Sequence, residues 1–311
     1  MERRMEDYLY DRFGHLGLGE AHGRDLPVIG AVHLAAGFML SEMLGCQVNY
    51  RAGDSPEVIP AGIENLEVNV EAAFASARFK RFVAMVEALR ADYGCLLGDV
   101  NWGGVLNIAI DLRGQDLFMD FLDRPDEVET FFCQIAAVIE RFVLLMRGWT
   151  GSSSVSVTRL VRHLSKPVAL HSECSNTMIS EDDYRRFLLP IDKAWGRTLA
   201  PFGIHHCGKD PGRLAGAYAE VPGLAYFDLG WGGDVSAIRL AMPDAFLGLR
   251  LNPVDVVKQA PEEIRADILR LASDAGGPHN AGVVCVNLDA TATDEQVAAI
   301  FNTAAEIRLK G

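Results

Sequence analysis

His205 and Cys207 stand two apart in the run Gly203-Ile204-His205-His206-Cys207-Gly208. On a strand, side chains alternate with period 2, so the imidazole and the thiol would share one face. An imidazole with a thiolate suits a borderline-soft metal such as Zn²⁺. A further soft donor, Cys285, stands in a later apolar run. Three protein ligands would leave a fourth position for substrate, the arrangement of a catalytic zinc and not of a structural one. A free cysteine is more often a small buried apolar residue. Position raises this pair above that reading, because Gly208 follows at once and Lys209-Asp210-Pro211-Gly212 marks a loop where a strand would end. By the same alternation His206 points away from His205 and reads as a structural or supporting residue. His171 and Glu173, again two apart, end another apolar run; either is a candidate fourth ligand or substrate contact. Cys174 alternates with Glu173 and is expected to face the other way.

Such residues need a scaffold that gathers strand ends. From residue 168 onward, short apolar runs alternate with helical patterns. Strands are expected at Val168–Glu173, Phe202–Cys207, Leu224–Leu229, Ala245–Leu251 and Val283–Leu288. Helices are expected at Gly212–Glu220, at Val235–Leu240, and from Pro261 to about Ala275, where Gly276-Gly277 stops the last of them. Ser180 with Asp183, and Thr293 with Gln296, read as helix caps. Pro27–Leu34 and Cys95–Val100 add two strands; either Ser154–Thr158 is the eighth or the barrel is incomplete at its N-terminal side. This alternation predicts an α/β protein with a parallel sheet, a single-domain (β/α)8 barrel over residues 1–311 with residues 1–25 as a weakly patterned N-terminal extension. In such barrels the active site gathers at the C-terminal ends of the strands, where His205, Cys207 and Cys285 fall.

Composition bounds the function. The chain has 311 residues, 49% apolar and 23% charged, enough for a large core. Its net charge of -13, with Arg3-Arg4 and Arg185-Arg186 as isolated basic pairs, argues against nucleic-acid binding, which needs clustered Lys and Arg. Six scattered cysteines form no Cys-x-x-Cys and no disulfide framework. The charged N-terminus has no signal-peptide core. The longest apolar run, Phe131 to Met146, holds Gln134, Glu140 and Arg141 and is too short to span a bilayer. A soluble cytoplasmic protein without membrane partners is therefore expected. Gly17-Leu18-Gly19 has no preceding strand and fails the dinucleotide fingerprint, Gly151-Ser152-Ser153-Ser154 lacks the phosphate-loop Gly-Lys-Ser, and no Gly-x-Ser-x-Gly elbow is present.

These residues resemble a known family. His-x-Cys-Gly after a strand, with Cys285 on a late strand, is similar to the zinc methyltransferases of the uroporphyrinogen decarboxylase superfamily. These enzymes move methyl groups between corrinoid proteins and thiols such as coenzyme M, or serve as the methyltransferase components of O-demethylases. Met178-Ile179-Ser180-Glu181-Asp182-Asp183-Tyr184, followed by Leu189-Pro190, resembles the family's Ser-Pro-Glu helix start. Gly103-Gly104 to Gly114, with Leu122-Asp123-Arg124-Pro125-Asp126, looks like the stretch leading to its Asp-Pro-Glu helix. Leu251-Asn252-Pro253 looks like its Asn-containing turn. The resemblance runs from about residue 95 to the end. It departs from the decarboxylases themselves, because the early region reads Val28-Ile29-Gly30-Ala31-Val32-His33 and Cys285 stands where their late His would be.

The resemblance implies Zn²⁺ held by His205, Cys207 and Cys285. It also implies methyl transfer between a small substrate, a methyl ether or a thiol, and the cobalamin of a corrinoid protein. No histidine here has Asp two positions before it, so cobalamin would arrive on that partner and not on this chain. A homodimer is compatible with this reading. Glu173 and Asp228 are the carboxylates placed in catalytic roles, and Asp99, Asn101, His171 and Asn252 are candidate substrate contacts, with helix capping as the alternative for Asn252. Competing readings are a metal-free decarboxylase of the same superfamily and a non-catalytic protein that binds a corrinoid carrier.

Overall fold

The structure is a computed structural model and describes residues 2–19, 21–23, 25, 28–29, 38–51, 56–98, 103–151, 166, 168–286 and 288–310. Among them, β1 (Val28–Ile29) pairs in parallel with β4 (Leu97–Gly98), and β2 (Gln47–Asn49) pairs antiparallel with β3 (Glu57–Ile59). The remaining strands, β5 (Ala169–Ser172), β6 (Phe202–His205), β7 (Leu224–Asp228), β8 (Phe246–Arg250) and β9 (Ala281–Val284), form one parallel sheet in sequence order. The α/β expectation therefore holds. The described strands do not close into a ring: the five-stranded sheet ends at β5 and β9, and β1 with β4 forms a separate pair. The candidate eighth strand at Ser154–Thr158 lies outside the described residues, as do most of Pro27–Leu34 and the end of Cys95–Val100.

The strands are short and apolar because a parallel sheet is covered on both faces. Every residue of β5 and β6 is buried. Helices Leu189–Thr198, Gly212–Tyr218, Val235–Ala241, Pro261–Asp274 and Asp294–Lys310 alternate with them. Local chemistry starts several of these where the sequence predicts. Ser180 and Asp183 form a reciprocal capping box, Asp234 accepts from the Ala237 N–H, and Thr293 and Gln296 exchange side-chain to backbone bonds. The long apolar run becomes the helix Pro125–Thr150, which fully buries Phe131, Phe132 and Phe142. Each such side chain contributes about 1.5–3 kcal/mol. No described helix is long and apolar enough to cross a membrane. The weakly patterned N-terminal extension holds the helix Glu2–Phe13, which packs Phe13 against Ala292 and Val297 and pairs Arg12 with Asp294 at 2.6 Å.

Three strand ends differ from expectation, and each matters for the site. β5 stops at Ser172, and Glu173 leaves the β region (φ -102, ψ 45) and opens a 3-10 turn over Cys174–Met178. Alternation therefore no longer governs Cys174. β6 stops at His205, two residues before Cys207. β9 runs over Ala281–Val284 and not Val283–Leu288: Asn280 takes a left-handed φ of 53, and its carbonyl accepts from the Leu247 N–H at 2.8 Å, so pairing begins early. Cys285 is left just beyond the strand. At this end of the sheet, loops meet backbone to backbone. A Cβ on Gly230 would lie 1.7 Å from the Gly208 carbonyl oxygen, so only glycine permits the approach.

Candidate metal centre

Register fixes which residues share a face. Ser172 pairs with His205, and His205 with Asp228, whereas His171 pairs with Ile204. One face of the strand ends thus presents His205 and Asp228, with Arg250 from β8 joining them, and the other presents His171.

On the first face, one ligand atom from each of Cys174, His205 and Cys207 lies within 4.8 Å of the others. The expectation that Cys174 faces away is corrected here: the turn after Ser172 carries it toward Cys207. Nδ1 of His205 is bonded to Asp228 Oδ2. A carboxylate only accepts, so Nδ1 carries the proton and Nε2 holds the lone pair. Nε2 is buried and has no hydrogen-bond partner. Arg250 completes the set: Nη2 donates to Asp228 Oδ2 at 2.7 Å and lies 3.1 Å from His205 Nδ1, while Nη1 reaches Cys207 Sγ at 3.9 Å.

These contacts set the electrostatics. The hydrogen bond from Cys174 favours the Cys207 thiolate; with help from His205 and Arg250 it outweighs burial and holds Cys207 well below an ordinary thiol. The same bond and burial push Cys174 well above the ordinary value. Burial opposes charge on His205, but Asp228 and Cys207 overcome it, and its pKa is raised. A thiolate, a nearby thiol and an orphaned imidazole nitrogen whose tautomer is fixed by a carboxylate make a donor set that fits a thiophilic metal.

The remaining candidate residues are divided between this face and its surroundings. Asp228 is fully buried and touches His205 and Arg250, so it orients the imidazole. Cys285 is half-buried, its thiol pushed up to about 11 by burial with Arg250 working the other way, and it is not in the 4.8 Å grouping. Asn252 caps the helix Pro253–Val256: its Oδ1 accepts from the Val254 N–H at 3.1 Å and its Nδ2 donates to Asp255 at 2.7 Å. It also lines a cavity of about 300 Å³ that Arg250, Trp231 and Asp255 share. Asp99 and Asn101 lie outside the described residues. His206 faces away from His205, as alternation predicts, and its Nδ1 meets the Tyr218 hydroxyl at 2.9 Å. Burial and the neighbouring His205 hold His206 neutral, its pKa pulled down to about 4.

His171 and Glu173 do not join His205 and Cys207. They sit with Asp192, from the helix Leu189–Thr198, in a second buried group whose ligand atoms lie within 4.8 Å of one another. His171 Nε2 is 3.3 Å from Glu173 Oε1, and Tyr184 donates to Asp192 Oδ2 at 2.5 Å. Trp195 and Phe202 pack against the His171 ring. Burial pushes Glu173 up to about 8, which contacts with Asp192 and Asn176 only partly offset, and burial pulls His171 down to about 4.

Sequence reasoning missed Cys174, Arg250 and Asp192. Arg250 had a signal, a lone cation within the apolar run Phe246-Leu247-Gly248-Leu249-Arg250-Leu251. Asp192 had none, since only tertiary packing brings its helix to His171.

No protein-family model matches the chain, and no curated protein matches it. Among solved structures, the chain is similar to a methyltransferase from Methanosarcina mazei, with a TM-score of 0.71 and 14% sequence identity over 99% of this chain and 86% of that one. At that identity, the likeness speaks for a shared fold.

Proposed function

We propose that this chain is a metal-dependent methyltransferase working at the C-terminal end of its parallel sheet, on a barrel-like α/β scaffold. The observation that carries the reading is the state of His205: Nδ1 is committed to Asp228, Nε2 is buried without a partner, and two thiols stand within 4.8 Å of the ring. The fold shared with a methyltransferase supports it, as does the sequence resemblance. Zn²⁺ is the proposed metal, held by His205 and Cys207 with a second thiolate from Cys174 or Cys285. When bound, it would supply a Lewis acid that lowers the pKa of a thiol or polarises an ether oxygen.

The chain's own residues prepare that site. Asp228 holds the His205 ring in one tautomer and raises its basicity. Arg250 stabilises both Asp228 and the Cys207 thiolate, so the negative charge of the donor set is already balanced inside the fold. A cavity lined by Arg250, Trp231, Asn252 and Asp255 adjoins the guanidinium that reaches Cys207, and it is the proposed place for a small substrate. Cobalamin is proposed to come on a partner corrinoid protein meeting this end of the sheet, in the cytoplasm.

The test is spectroscopic. Purified protein, loaded with zinc, is mixed with methylcobalamin or cob(I)alamin and a panel of methyl ethers, methylamines and thiols. Interconversion of the two cobalamin spectra with one class of substrate supports the proposal. A zinc-loaded protein that leaves both spectra unchanged with every class, with and without a carrier protein, contradicts it.

A further inference from the structure

The second buried group has a property that the methyl-transfer reading does not use. His171, Glu173 and Asp192 are all at most 2% exposed. Neither ring nitrogen of His171 and neither oxygen of Glu173 has a hydrogen-bond partner of good geometry, although Asp192 and the Asn176 amide lie close enough to Glu173 to lower its pKa. Such atoms are rare in folded proteins, because each costs about 1–3 kcal/mol when left unsatisfied. Here four of them belong to His171 and Glu173, whose ligand atoms lie within 4.8 Å of each other and of an Asp192 oxygen. No Lys or Arg among the described residues pairs with Glu173 or Asp192. The nearby Arg213 guanidinium is used on the carbonyls of Asn176 and Ile179, at 3.1 Å and 2.7 Å. Buried carboxylates without a cation are either neutralised or coordinate a metal.

The backbone is also specialised there. The residues Tyr184–Leu188 form a π-helical turn just before the helix that carries Asp192. Such turns insert an extra residue, rotate the helix beyond it, and occur frequently at functional sites. The Tyr184 hydroxyl within that turn then fixes one Asp192 oxygen. On the strand side, Glu173 stands at the point where β5 gives way to the 3-10 turn, so its side chain leaves the sheet beside His171.

We propose that His171, Glu173 and Asp192 form a second metal site, distinct from the thiolate centre, which takes a first-row divalent cation. One imidazole and two carboxylates suit Zn²⁺, Mn²⁺ or Fe²⁺, and the absence of sulfur separates this site chemically from the one at Cys207. The site lies between sheet and helices and carries no exposed surface, so its role is to tie β5 to the helix Leu189–Thr198 directly behind the thiolate centre. The inference stands independently of methyl transfer.

Metal counting on the full chain tests it. The protein is loaded with Mn²⁺, desalted and counted, with and without Cys207→Ser. The expected result is about one Mn²⁺ per chain in both, lost at least 10-fold in Glu173→Gln and Asp192→Asn. Pulsed paramagnetic resonance on wild-type protein provides a readout that does not depend on variant folding: the bound Mn²⁺ should show nitrogen modulation from one coordinated imidazole. Wild-type protein that binds no Mn²⁺ and no more than one Zn²⁺ would overturn the proposal and assign the charge neutralisation to shared protons. So would Mn²⁺ without nitrogen modulation, or Mn²⁺ retained in both carboxylate variants.

Discussion

His205 and His171 are the same residue type, equally buried, on adjacent strands whose ends lie side by side, and yet their pKa values move in opposite directions. His205 is raised, because Asp228, bonded to its ring, and Cys207 together outweigh burial; Arg250 donates to the same Asp228 oxygen. His171 is lowered to about 4 by burial, which Asp192 only partly offsets; burial also pushes Glu173 up to about 8, and burial with the nearby Glu173 pushes Asp192 up. Burial alone therefore does not set the charge of a site; a counter-ion that is itself compensated does. One face of the strand ends is wired as a thiolate–imidazole–carboxylate–guanidinium set. The other is a carboxyl–imidazole set without a protein cation.

The contrast can be broken from its strong side first. Cys207→Ser should remove metal from the first face and lower methyl transfer by more than 100-fold, since the loss of a ligand exceeds the ~10–100-fold typical of a partner behind one. Metal content and cobalamin spectra measure both. Asp228→Asn comes next. It should weaken the metal by ~10–100-fold and drop His205 below its ordinary value of 6.5, making it resemble His171. Competition with a chelator and histidine NMR titration read this directly.

Next comes the pH dependence of stability without added metal. Glu173 has a folded pKa of about 8 against an ordinary 4.5, so its contribution is full below 4.5 and is lost as pH rises toward 8. His171 and His206, lowered to about 4 from 6.5, work the other way, gaining as pH rises through 4 to 6.5. The two effects oppose below 6.5, and between 6.5 and 8 the lowered Cys207 thiol, which gains stability as pH rises, opposes Glu173 as well, so the Glu173 contribution is read as the difference between wild type and Glu173→Gln. Denaturant melts should show the stability of wild type falling relative to Glu173→Gln as pH rises from 6.5 to 8. The smallest effect is expected from Tyr184→Phe, which leaves Asp192 short of one donor. It should cost about 1–3 kcal/mol in urea unfolding while leaving metal on the first face intact.

The second half of the sheet was legible because parallel strands and their caps follow local rules: five expected strands correspond to β5 through β9, and Ser180 with Asp183 caps as expected. Pairing His205 with Cys207, and turning His206 away from them, followed from alternation alone. Alternation fails where a strand stops. It could not see that Glu173 leaves the β region, which brought Cys174 to Cys207, nor that Asn280 starts β9 early, which leaves Cys285 past its end. It also offered His171 and Glu173 as a fourth ligand or a substrate contact, although the register Ser172 to His205 puts His171 on the other face. Arg250 and Asp192 reach their sites through tertiary contacts that no local spacing encodes.

The central claim is a metal held by His205 and Cys207, and cobalt substitution tests it most directly. Co²⁺ bound by cysteine thiolate gives an intense near-ultraviolet charge-transfer absorption, which nitrogen and oxygen donors do not give. That band is predicted in Co²⁺-loaded wild-type protein, unchanged in Glu173→Gln and abolished in Cys207→Ser. A wild-type protein that binds Co²⁺ without the band, or a band that survives Cys207→Ser undiminished, would contradict it.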